Sequence, residues 1–137
     1  MGRAEVAVIK TNAAGVLDDV DRLVGLAGID TALPQEKTTI LKDNISWHMP
    51  FLSANTTPWQ LEGVIKALRK RNYSDVVCVE NRTVVTSAAK GERLNRYSQV
   101  LSGYEIPVRY NFDPEHMGWI RYEPKAEMLA LHKIFPK

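Results

Sequence analysis

Two short polar runs carry the residue types from which a binding or reactive site is built. Lys42-Asp43-Asn44 sets a fixed cation, a carboxylate and an amide side by side, and Glu80-Asn81-Arg82 offers the same three chemistries in another order. Lys42 and Arg82 suit a phosphate or carboxylate group, while Asp43 and Glu80 can hold a cation or move protons. Asn44 orients a bound group, and Asn81 joins the same ligand-binding set. His48, in a polar stretch between the two runs, adds an imidazole that can donate or accept a hydrogen bond. Thr57-Pro58 marks a helix start, whose free backbone N–H groups and partial positive charge favour an anion.

Each feature also has a plainer structural use. An N-cap threonine stabilises its helix by about 1 kcal/mol without any ligand, and a lysine at a strand end is often a solvated edge residue. Lys66, Arg69, Lys70 and Arg71 form a basic helix face without interleaved aromatics, which reads as solvated surface rather than a nucleic-acid patch. Asp113-x-Glu115-His116 has metal-ligand atoms but no recognised ligand spacing, so no metal site is expected there. Cys78, the sole cysteine, stands inside an apolar run and reads as an inert packed thiol. One thiol cannot by itself make a disulfide, a Cys-based zinc site or an iron–sulfur cluster. No G-x-G-x-x-G after a strand, Walker A loop, H-E-x-x-H or G-x-S-x-G occurs.

The elements that must position these residues follow from periodicity and punctuation. Residues 5–11, with the apolar run Val6-Ala7-Val8-Ile9, read as a strand, and residues 18–27 as a helix stopped by Gly28. Residues 38–41 make a second, β-branched strand, and residues 42–55 a long loop of the kind compact domains keep for a purpose. Thr57, Pro58 and Gln60 then spell an N-cap, a first-turn proline and a capping box. Leu61, Val64, Ile65 and Leu68 form the apolar stripe of that helix, opposite Glu62, Lys66, Arg69 and Lys70. Residues 75–80 are a third strand, apolar throughout its centre, followed by a loop at 81–86. A helix over 88–102 ended by Gly103, a fourth strand at 106–110, an irregular stretch at 111–125 and a fifth strand at 128–134 complete the chain.

Strands alternating with helices predict an α/β fold: a three-layer, Rossmann-like arrangement around a mostly parallel sheet of four to five strands. In such sheets ligands bind beyond the carboxyl ends of the strands, beside helix N-termini. That rule brings Lys42, Asn44, His48, Thr57, Glu80, Asn81 and Arg82 toward one crevice.

The 137 residues fit one domain, or the N-terminal portion of a larger one. With 45% hydrophobic residues the chain is not a disordered tail, and a net charge of +2 is too small to point to nucleic acid. No run reaches the roughly 18–20 apolar residues of a membrane span. The first apolar run is too short for a signal peptide, and the expectation is a cytoplasmic protein. Asn-x-Ser/Thr triplets at Asn44, Asn55, Asn72 and Asn81 then read as chance.

Thr39-Ile40-Leu41-Lys42-Asp43-Asn44, the polar loop, Thr56-Thr57-Pro58, the helix at 61–68 and the strand Val76–Glu80 together resemble the domain of unknown function 362 family. Its members show a strand ending in Ile-Lys-Pro-Asn, a loop to a Thr-rich helix start followed by proline, and a strand closing on an acidic residue. Val6-Ala7-Val8-Ile9-Lys10 and the first helix are similar to its N-terminal part, so the resemblance spans residues 5–110. Asp43 stands where the family has proline, and Glu80-Asn81 replaces an Asp-Ser ending. Lys42, Asn44, Thr57 and Glu80 match the pattern. The resemblance implies a Rossmann-like scaffold, a small-molecule site at the strand ends and association with iron–sulfur redox modules. Any such cluster would lie in a further region or a partner, not in these residues.

The expectation is therefore an α/β protein that binds a small anionic ligand as part of a redox-linked enzyme. Lys42 and the Thr57 helix start would neutralise the anion, and Lys42 and Glu80 would be the catalytic pair. The alternative is a non-catalytic interaction module that self-associates or pairs with a partner chain, because a small sheet leaves an open edge and apolar surface.

Overall fold

The structure, a computed structural model, describes residues 6–118. The first helix, α1 (Val16–Leu26), carries Asp18 and Asp19 in its first turn, where acidic groups complement the free N–H groups. Gly28 (φ 76°) turns the chain into the short α2 (Ile29–Ala32). The first strand is β1 (Thr39–Leu41), and after a long loop comes α3 (Pro58–Lys70). The capping box anticipated from Thr57, Pro58 and Gln60 is formed in full: the Thr57 Oγ1 accepts from the Gln60 N–H, and the Gln60 side chain accepts from the Thr57 N–H. The chain continues through β2 (Val76–Glu80), α4 (Ala88–Leu94), α5 (Tyr97–Gly103) and β3 (Val108–Tyr110).

These elements make a mixed α/β fold around a three-stranded, wholly parallel sheet in the order β1-β2-β3. Side chains alternate across a strand, and one face receives the helices: Leu61, Ile65 and Leu68 of α3 and Tyr97 and Leu101 of α5 pack with Val76 and Cys78 in a single core. α1 lies along α3 at close quarters, since a Cβ on Gly63 would stand 2.8 Å from the Cβ of Val20. Lys70 and Arg71, part of the basic face of α3, reach across to Asp21 of α1. The opposite sheet face is a groove of about 430 Å³ lined by Ile40, Val77, Val79 and Arg109 and by the turn segment through His116 and Met117. Ile40 is 64% exposed on that face. No helix among the described residues is long and apolar enough to cross a membrane.

Three expectations need correction. Residues 6–11 do not form a strand, and Val6 and Val8 are each 83% exposed. A four-residue apolar run becomes a strand only where a neighbour accepts its hydrogen bonds, and no strand among the described residues pairs with this one. The helix expected over 88–102 is two helices, broken at Asn95 and Arg96, where Arg96 takes a left-handed φ of 67°. Asn95 is claimed by tertiary hydrogen bonds there: its amide donates to the Gly91 carbonyl and accepts from Asn55. Gly103 stays inside α5; Tyr104 is the C-cap and Glu105, at φ 55°, makes the left-handed turn instead. The strand expected at 128–134 lies outside the described residues.

Candidate functional site

The register of the sheet builds the site. Thr39 pairs with Val76 and Leu41 with Cys78, so continuing two residues further brings Asp43 level with Glu80 at the carboxyl ends of β1 and β2. Period-two alternation puts Cys78 on the same face as Glu80. Asp43, Cys78 and Glu80 are all buried, and one ligating atom of each lies within 4.8 Å of the others. The Cys78 Sγ donates weakly to the Asp43 Oδ2 and to the Glu80 Oε1, 3.8 Å away in both cases. From the helical side α4 supplies Glu92, also buried, whose Oε2 accepts from the Tyr110 hydroxyl at 3.1 Å. The Glu92 Oε1 is buried without a partner.

Above this floor the loop after β1 forms a rim. The Lys42 ammonium donates to the Asn44 Oδ1 at 2.9 Å and to the Asp43 carbonyl at 3.3 Å. Asn44 is locked to the entry of α3: its N–H donates to the Thr56 Oγ1, and its carbonyl accepts from the Thr56 N–H. Asn55 buckles the loop by bonding Trp47 and Met49 backbone groups and the Asn95 side chain. Gly91 is required under the loop, because a Cβ there would meet the Ile45 Cγ2 at 2.4 Å. Between floor and rim lies a cavity of about 190 Å³ lined by Lys42, Asp43, Asn44, Glu80, Asn81 and Thr83 among others. Drug-sized ligands occupy pockets of about 300–1,000 Å³, so this one suits a hydrated ion or a ligand of few heavy atoms.

The electrostatics are those of acids removed from water. Burial pushes the Asp43 carboxyl up to about 6; the charge of Glu92 adds to this, and the Cys78 hydrogen bond and Lys42 oppose it. Burial, then the charges of Asp43 and Glu92, pushes Glu80 up to about 8, against the pull of Lys42. Glu92 is raised by burial, partly offset by the Tyr110 hydrogen bond. Burial and the same three carboxylates push the Cys78 thiol far up, so it is no nucleophile in this state. At neutral pH Glu80 is therefore largely a neutral acid able to donate a hydrogen bond.

The structure brings together Lys42, Asn44, Glu80 and Asn81 on the cavity. Thr57 is buried beside it in sequence but its hydroxyl is spent on the Gln60 side chain, and Thr56 rather than Thr57 touches the rim. Arg82 lines a separate groove with Ser87 and Phe112, and its N–H donates to Asn111. His48 stacks on Trp47 with ring centroids 4.7 Å apart, and its Nδ1 is buried without a partner. Asp113 and His116 sit in one turn, with Asp113 accepting the Glu115 N–H. Sequence reasoning did not find Glu92 or Tyr110. Cys78 carried a usable signal, since it stands two residues before Glu80 in one strand, whereas Glu92 sits in the stretch Ala88-Ala89-Lys90-Gly91-Glu92 with nothing to mark it as inward-facing. Comparison with protein-family models, curated proteins and solved structures finds no match at any level that bears on function.

Proposed function

We propose that this chain binds a small anionic ligand in the cavity at the ends of β1 and β2, as the ligand-binding part of a redox-linked enzyme. The observation that carries the reading is the convergence of Lys42, Asn44, Glu80 and Asn81 on one cavity, at the place where parallel sheets hold ligands. Lys42 supplies the charge for the anion, Asn44 and Asn81 orient it, and Glu80 serves as the acid or base in contact with it. The acidic floor sets a condition: an anion is tolerated there only while the carboxyls are neutral or neutralised. The redox link comes from the family resemblance, with the iron–sulfur carrier in a partner or a further region. Within the same reading the three strands are the centre of a larger Rossmann-like sheet.

Inorganic phosphate and small carboxylates, titrated against the protein while thermal unfolding is followed, test this. Stabilisation by one of them that falls at least about tenfold in affinity in Lys42→Ala is expected. Equal affinity in a folded Lys42→Ala and Asn44→Ala pair would overturn it.

A second reading, an interaction module that pairs with itself or a partner, is favoured by the open sheet face with its exposed Ile40. Sedimentation of the purified chain separates the two, a compact monomer counting against self-association.

A further inference from the structure

We propose that the floor of this cavity is a divalent-cation site of mixed oxygen and sulfur donors, held by the Asp43 and Glu80 carboxylates and the Cys78 thiolate. The inference rests on the pocket of the preceding section but adds a ligand of a different class. Its geometry is close to what a borderline ion such as Zn²⁺ needs. With Zn–S near 2.3 Å and Zn–O near 2.0 Å, a tetrahedral site sets sulfur and oxygen about 3.5 Å apart. Here the Cys78 Sγ is 3.8 Å from the Asp43 Oδ2 and 3.8 Å from the Glu80 Oε1. Modest side-chain rotation closes the difference.

A second observation, independent of that trio, points to something missing. Glu92 enters from α4, is only 5% exposed, and buries its Oε1 with no hydrogen-bond partner. Buried carboxylate oxygens without partners are costly and rare. The charge of Glu92 acts on Asp43, Glu80 and Cys78 alike, so its carboxylate belongs to the same buried acidic region. Glu92, fixed at its other oxygen by Tyr110 and outside the set of ligand atoms that lie within 4.8 Å of one another, is placed to accept from a water on the ion rather than to bind it directly.

Two positive charges would also resolve the conflict between an acidic floor and an anionic ligand. The ion takes up the floor's charge and offers its remaining positions to the cavity, where Lys42 and Asn44 wait at the rim. Binding releases the Cys78 proton, and any proton held by Asp43 or Glu80, to solvent.

Chelator-treated protein titrated with Zn²⁺ and Co²⁺ tests the site. One equivalent of Zn²⁺ retained on dialysis is expected, with a near-ultraviolet thiolate-to-metal band on Co²⁺ loading that disappears in Cys78→Ser. Glu92→Gln should weaken Zn²⁺ about 10- to 100-fold, and Asp43→Asn at least as much. Failure of the wild-type chain to retain either ion, or a Co²⁺ spectrum without the thiolate band, overturns the proposal, and both are read without any variant. Ion binding unchanged in Cys78→Ser and Asp43→Asn overturns it as well. Phosphate binding that depends on Lys42 in protein that retains no ion would sink the cation and spare the ligand reading. An ion retained by protein that binds no anion would do the reverse.

Discussion

Asp43 and Glu80 stand buried together at the carboxyl ends of adjacent strands, while Lys42 spends its hydrogen bonds on Asn44 and the backbone. Both carboxyls have folded-state pKa values raised above those of the unfolded chain, to about 6 and about 8. The linkage sign is then fixed. Their contribution to stability is complete below about pH 4, and is lost as pH rises through 6 for Asp43 and on through 8 for Glu80. Ion-free protein should therefore melt at a lower temperature at pH 8.5 than at pH 5.5. Glu80→Gln, which cannot ionise, should remove most of the loss between pH 5.5 and pH 8.5, an effect of order a few kcal/mol. A melting profile that is flat across that range, or the same in wild type and variant, would contradict the assignment of neutral carboxyls.

At the scale of elements, the sequence disclosed what local chemistry decides and hid what tertiary contacts decide. The capping box of α3 was legible because Thr57, Pro58 and Gln60 interact only with one another and with adjacent backbone. β2 and the acidic end of its apolar run were legible for a different reason: a central strand paired on both sides and buried along most of its length shows as a continuous apolar run. The break between α4 and α5 was not, because it depends on Asn55, forty residues away in the chain from Asn95. Nor was the absence of a strand at residues 6–11, which turns on pairing rather than on composition. Of the site, the two strand ends could be read from order alone; the arrival of Glu92 from a helix could not. A pair of substitutions separates the two kinds of determinant. Thr57→Ala should cost about 1 kcal/mol and leave phosphate affinity unchanged. Asn95→Ala should cost about 1–3 kcal/mol by orphaning buried partners, and should weaken phosphate binding by loosening the loop that carries Lys42. Chemical denaturation and titration of the same preparations check both.

Among the described residues, α3 and α5 pack on one side of the sheet, and Ile40, Val79 and Arg109 lie on the other. If that face pairs with a second copy, Ile40→Lys should abolish self-association in sedimentation while leaving the melting temperature within a degree or two. A position 64% exposed in the isolated chain contributes little to its own fold. Dimers that persist in that variant would move the contact elsewhere. The cavity meanwhile sits at the junction of β1 and β2 on the helical side, and β1 and β3 are the two borders of the sheet among the described residues. A further strand can be added at either of these borders while the cavity keeps its lining. The margins of the sheet are thus separable from the cavity: what is added at them can leave Lys42, Asp43 and Glu80 where they stand.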